Sequence, residues 1–214
     1  MTRNLLLIGG GGHCKSVLNS LYENKEFDEI AIIDRQEKVG SFILGTPIIG
    51  TDEDLPKLFS EGYKEAFVTI GSVGNPSLRV RLTKELKVIG FSLPNIVDET
   101  ATVSTYSELS DGIYVGKQAV INADVKVGEG TIINSCALVE HECMIGDFVH
   151  LAPRSVLCGG VEVRDRTHIG ANSVIRQQVT IGTDVMIGMG SVVLRHMKAG
   201  VIAYGNPCKE VSSK

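Results

Sequence analysis

The chain has 214 residues with a formal charge of −4; 43% are apolar, 24 are glycine, only 5% are aromatic and none is tryptophan. That length holds one to two domains, and that charge offers no basic field for a polyanion, which argues against nucleic-acid binding. No apolar stretch approaches the roughly 20 residues that span a bilayer, so the expected class is a protein with an aliphatic, finely layered core.

Residues 1–8 carry one positive charge and run into glycines rather than a long apolar segment with a cleavage site, unlike a secretion signal. The run Asn4-Leu5-Leu6-Leu7-Ile8 predicts a strand that ends in Gly9-Gly10-Gly11-Gly12-His13. A helical pattern follows from Lys15 to about Tyr22, then strands at 29–33 and 66–70, then a helix marked by Leu78, Leu82 and Leu86. Strands alternating with helices predict a parallel α/β sheet, whose ligands sit beyond the carboxyl ends of the strands. Glycine lets backbone N–H groups approach a phosphate at a helix N-terminus. The third glycine of a dinucleotide fingerprint is Cys14 here, although Asp34 stands about 20 residues on, where a ribose-binding acid is expected. Only about 95 residues precede the next region, too few for two βαβ halves, so a mononucleotide or nucleotide-sugar site fits this unit better. The five cysteines, with no Cys-x-x-Cys pair, read as reduced thiols of a cytoplasmic protein.

From Val97 to Val193, every sixth residue is Val, Ile or Leu, seventeen times in succession. Two residues before each stands a small or slim side chain, such as Ala119, Thr131, Cys143 or Ser155. Glycine often follows directly, as at Gly116, Gly128, Gly146, Gly170, Gly182 and Gly188. Neither an α-helix nor a hairpin sheet has this period. A triangular coil of three six-residue faces does, with one aliphatic side chain pointing inward per face. The small residues are expected at its corners, with glycine relieving backbone strain there. The domain division read from the sequence is therefore residues 1–94 and residues 95–214.

The chain resembles the hexapeptide-repeat acyltransferases, whose repeats form left-handed parallel β-helices. The glycine loop Ile8-Gly9-Gly10-Gly11-Gly12-His13 ahead of the repeat is similar to the PglD/NeuD-type sugar acetyltransferases. So is the stretch from Val139 through Glu140-His141-Glu142 to His150. The resemblance implies an α/β Rossmann-like subdomain followed by a left-handed parallel β-helix of hexapeptide repeats. It implies acetyl-CoA as cosubstrate, no metal, a homotrimer and a cytoplasmic location.

The activity it implies is direct acetylation of the 4-amino group of a nucleotide-linked sugar, a UDP-linked bacillosamine type being favoured. His141 is implied as general base and Glu142 as the residue raising its basicity. A carboxylate beside an imidazole suits a base working near neutral pH. His150, Gly159, Ala171 and Met189 are implied for the cofactor. Gly159 lies 18 residues after His141, one coil on, where a missing side chain is expected to leave room for substrate. Gly11, Gly12, His13, Asp34, Arg35, Gly71 and Asn134 are implied for the substrate. The Asp34-Arg35 pair leaves the base open between uridine and guanosine. His168, one coil beyond His150, reads as an exposed histidine on a scaffold face.

Other readings compete. Sialic-acid O-acetylation is the alternative within the class. A zinc enzyme of the γ-carbonic-anhydrase kind would use His141, His150 and His168, but their spacings place only His150 and His168 on one column. A non-catalytic scaffold makes no use of His141, and a dehydrogenase rests on the glycine loop and Asp34 alone.

Overall fold

The computed structural model describes residues 3–213. Its first unit is a five-stranded sheet of β1 (Asn4–Ile8), β2 (Glu29–Ile33), β3 (Phe42–Ile43), β4 (Thr46–Gly50) and β5 (Glu65–Val68), in the order β3-β4-β2-β1-β5. All neighbours pair in parallel except the β3–β4 hairpin. That hairpin and the short helix α2 (Leu55–Ser60) were not foreseen from the sequence. Helix α1 (Gly12–Asn24) covers one face of the sheet through Cys14, Val17, Leu18 and Leu21. Helix α2 and helix α3 (Ser77–Ile89) cover the other through Leu55, Leu58, Leu82 and Leu86. Cys14, fully buried, fills the helix–sheet contact that the third glycine makes in dinucleotide folds.

From Ile96 on, two-residue strands repeat every six residues and stack 18 residues apart as three parallel sheets. The first face carries Tyr114–Val115, Ile132–Ile133, His150–Leu151 and His168–Ile169; the second, Val120–Ile121 and Leu138–Val139; the third, Lys126–Val127 and Met144–Ile145. The prism core is the aliphatic series, with Val115, Ile121, Ile133, Val139, Leu151 and Ile187 essentially inaccessible. A hairpin of Val201–Tyr204 and Lys209–Ser213 lies at the end of the first face.

The corners differ from expectation. The small residues two places before each aliphatic position are themselves core: Ala119, Ala137, Ser155 and Ser191 are fully buried. The left-handed backbone falls three places after the aliphatic residue, at fourteen successive corners from Gly112 to Gly190. Ten of these are non-glycine, among them Asp124, Glu142, Arg154 and Asn172. None of the glycines directly after the aliphatic position has a positive φ. Their role is close approach: a Cβ on Gly128 would lie 2.5 Å from the Gly146 carbonyl carbon, and one on Gly170 2.5 Å from Met189 N.

The first face is not bare. Ile96, Tyr114 and Ile132 share one core with Leu5, Leu7, Val17 and Phe67 of the first unit. A polar lock reinforces the contact. Buried Asp98 accepts from Ser20 (2.5 Å) and Thr100 (2.6 Å) and pairs with Lys117, which also reaches Glu23. Among the described residues, no helix is long and apolar enough to cross a membrane.

Candidate active site

A cleft of about 1040 Å³ opens at the carboxyl ends of β1, β2, β4 and β5. The four glycines that enter it divide their work. Gly9 has φ +102°, and a Cβ there would lie 2.6 Å from Ile70; one on Gly10 would lie 2.5 Å from Ile43. Gly11 and Gly12 have nothing within 4 Å of that position, so they leave the start of α1 open to a ligand. Asp34 is turned inward: its carboxylate accepts from Gly10 N–H (2.8 Å), Lys38 Nζ (2.7 Å) and Arg35 N–H (2.7 Å). Burial opposes its ionisation, but these bonds prevail and hold its pKa below the ordinary carboxylate value. The cleft thus gathers Gly11, Gly12, His13, Asp34, Arg35 and Gly71. It adds Thr51, Asp52 and Glu53 after β4, and Leu78 and Arg81 of α3. Thr51, Asp52 and Glu53 were missed because the β3–β4 hairpin was not recognised, and Leu78 was read only as a marker of its helix.

The second feature is a buried seam where the two units meet. His150 Nδ1 donates to the Ser72 carbonyl (2.7 Å), and its Nε2 lies 3.3 Å from Asn134 Nδ2. Asn134 Oδ1 accepts from Ser135 N–H (2.8 Å). Arg79 of α3, only 2% exposed, donates from Nη2 to the Phe148 carbonyl (2.8 Å). His168 is buried edge-on against His150, with ring centroids 4.9 Å apart; it is not an exposed scaffold histidine, because the first unit covers this face. Burial drives the His150 pKa down to about 3, and burial plus the Arg79 charge drives that of His13 to about 4. Both imidazoles are neutral at physiological pH. Arg79 left no mark in the sequence reading.

The third feature is a corner cleft of about 400 Å³ lined by His141, Glu142, Gly159, Gly160, Gln177 and Gln178. His141 and Glu142 stand at the turn between the second and third faces, with side chains 61% and 69% exposed. His141 Nδ1 lies 2.9 Å from the Glu142 carboxylate. The carboxylate only accepts, so the proton sits on Nδ1 and the lone pair on Nε2. A Cβ on Gly159 would lie 2.6 Å from His141 Nε2 and Cε1. The space opened by Gly159 is therefore taken by the imidazole itself rather than left for substrate. Gln177, one coil beyond Gly159, was missed, although the 18-residue spacing from Gly159 marks it.

Within one chain the seam adjoins the nucleotide cleft through residues 71–81, whereas the His141 corner lies on a different edge of the prism. Ala171 and Met189 occupy the corner between the first and second faces, one coil apart, with Met189 80% exposed. The Gly190 N–H bonds to the Ala171 carbonyl across that spacing. This is the corner above Asn134, not that of His141. Among the described residues, no three His, Cys, Asp or Glu side chains gather as a metal site.

Residues 4–86 match the PglD N-terminal domain, and residues 142–177 and 163–195 match the bacterial transferase hexapeptide family. The chain is similar to PerB from Caulobacter crescentus, solved in complex with CoA and GDP-perosamine. Identity is 38% and the TM-score 0.91, over 98% of this chain and 97% of that one. It is also similar to the acetyltransferase domain of PglB from Neisseria gonorrhoeae FA1090, solved with acetyl coenzyme A. Here identity is 32% and the TM-score 0.92, over 99% and 100% of the two chains. A curated relative, uncharacterized protein L142 of Acanthamoeba polyphaga mimivirus, is 32% identical over 127 residues, and the match spans only 24% of that protein's length.

Proposed function

The chain belongs to the PglD-type sugar acetyltransferases, left-handed β-helix members of the hexapeptide-repeat acyltransferases that use acetyl-CoA, and from that premise we propose that it acetylates the 4-amino group of a nucleoside-diphosphate-linked amino-deoxy sugar. The observation that carries the reading is the exposed His141–Glu142 pair, with its proton fixed on Nδ1, in a cleft open to ligand.

Acetyl-CoA supplies the thioester whose carbonyl carbon the sugar amine attacks, the thiolate leaving. His141 Nε2 takes the proton that the amine sheds and returns one to the departing sulfur. Glu142 holds the ring and stabilises its protonated form. The cleft of the first unit takes the nucleotide, with the diphosphate at Gly11 and Gly12 and the nucleoside toward Asp34 and Arg35. The Ala171–Met189 corner fits an extended cofactor arm. From the level of Asn134 to Met189 it rises three coils, roughly 14 Å at about 4.8 Å each.

A homotrimer completes the site. Asn134, His141 and His150 all lie in the coil 134–151. A threefold axis along the prism therefore brings His141 of one copy, at equal height, against the Asn134–Met189 corner of the next. The complex of PerB with GDP-perosamine supports a nucleotide-linked amino sugar and puts GDP beside UDP as a candidate.

The test is a thiol-release assay with acetyl-CoA against GDP- and UDP-linked 4-amino sugars and sialic acid. Turnover of a nucleotide-linked amino sugar is expected. Turnover of sialic acid alone overturns the assignment.

A further inference from the structure

The seam contains a hydrogen-bond chain whose polarity is set at one end. The Ser72 carbonyl oxygen can only accept, so the bond at 2.7 Å requires a proton on His150 Nδ1. A neutral imidazole then carries only a lone pair on Nε2, and the Asn134 amide, 3.3 Å away, must be the donor. The amide's oxygen and nitrogen are told apart from the other side, because Oδ1 accepts the Ser135 N–H at 2.8 Å. The two ends agree, and no other assignment satisfies all three contacts. The charged and titratable neighbours are His168, His13 and Arg79. None is a carboxylate that would favour a second ring proton.

The anchor of this chain belongs to the nucleotide cleft. Ser72 follows Gly71, which lines that cleft, and Arg79 lies between Leu78 and Arg81, which line it too. Residues 71–81 thus grip the segment Phe148–His150 at two points while their other side forms the cleft wall.

We propose that His150 is a positioning residue of fixed polarity: anchored by Ser72, it accepts from Asn134 and so holds that carboxamide in one orientation beside the acetyl-transfer corner, tying the nucleotide cleft to the catalytic coil. The inference rests on the transferase reading for its consequence, but its geometry stands apart.

Nitrogen-15 NMR of the full-length protein, labelled at histidine, tests the geometry without any substrate. Nδ1 of His150 is expected to give a protonated, pyrrole-type signal and Nε2 an unprotonated, pyridine-type signal at pH 7. The reverse tautomer or an imidazolium overturns the proposal whether or not the protein transfers acetyl groups. The kinetic arm compares His150→Phe, which keeps the volume, with His150→Gln, whose carboxamide oxygen reaches the Nε2 position and accepts from Asn134. The Phe variant is expected to lose on the order of tenfold in kcat, the value of about one hydrogen bond. Its KM for the nucleotide sugar stays unchanged, and the Gln variant recovers most of the loss. Equal activity of both variants, or a loss confined to KM, overturns the positioning role. If the tautomer is as expected and no acetyl transfer occurs with any sugar, the functional reading fails and the seam geometry remains.

Discussion

His141 and His150 lie nine residues apart in one coil, in opposite surroundings. His141 stands at an open corner, its ring in water and its Nδ1 on an equally exposed carboxylate. His150 is sealed between two units, and burial holds it neutral far below the ordinary histidine range. The difference separates two uses of one side chain. A general base must gain and lose a proton each turnover, so it needs solvent and a partner that tolerates both charge states. A group that fixes geometry benefits from a single protonation state and rigid neighbours. Loss of the two histidines should therefore differ in kind as well as size.

The largest expected effect is at the open corner. Replacing His141 with Ala should reduce kcat by on the order of 10²–10⁴, the usual contribution of a positioned base. Because the residue is exposed and supports no core packing, unfolding free energy should move by no more than about 0.5 kcal/mol. Steady-state kinetics and urea unfolding on the same preparation check both halves. Unchanged turnover removes His141 from the chemistry, and a large stability loss would mean that the corner is structural.

A subtler break leaves the imidazole in place. A Cβ at Gly159 would lie 2.6 Å from the His141 ring, and the glycine's own φ is not positive, so alanine costs no backbone strain. Gly159→Ala should displace the ring by about an ångström and lower kcat on the order of 100-fold, with the fold intact. Near-normal kcat would show that the ring works from another rotamer.

The sealed side predicts a pH effect on stability instead. His13 and His150 titrate at about 4 and about 3 in the folded chain against 6.5 when unfolded. Between those values the unfolded chain binds more protons, so stability is fully present above pH 6.5 and falls as the pH drops. Each histidine should remove about 2 kcal/mol between pH 6.5 and 5. Urea midpoints at pH 7 and 5 measure it, and His150→Gln should abolish its own share. A flat profile would mean that the seam is wetter than its burial indicates.

The seam also shows where the sequence stopped being readable. The prism was legible because one physical demand, an aliphatic slot in a narrow core, recurs with strict period and leaves the same trace seventeen times. The glycine loop and the His141-Glu142 pair were legible as local motifs. Which face is covered was not, since all three faces obey one rhythm inward and differ only in outward residues such as Tyr114, Ile132 and His168. Ser72 and Arg79 act through partners 78 and 69 residues away. Such pairing exists only once the two units dock. The glycine rhythm was seen, but its cause was misplaced, because a period reports where a constraint falls and not whether it is conformational or steric.

That distinction gives the smallest expected effects and a direct comparison. Gly170 has an ordinary φ, but its Cβ would meet the next coil's backbone at 2.5 Å. Gly190 has φ +68° and nothing within 4 Å. If the first is a matter of space, Gly170→Ala must push two coils apart and should cost about 1–3 kcal/mol, as overpacking does. If the second is a matter of backbone conformation only, Gly190→Asn should be nearly neutral, since asparagine tolerates the left-handed region and Asn172 already occupies the equivalent corner one coil earlier. Gly190→Val, which is branched where the backbone is left-handed, should cost about 1–2 kcal/mol. Thermal unfolding of the three variants ranks them. Should Gly190→Asn prove as damaging as Gly170→Ala, the corners would be sterically closed as well, and their tolerance of non-glycine residues at ten positions would need another cause.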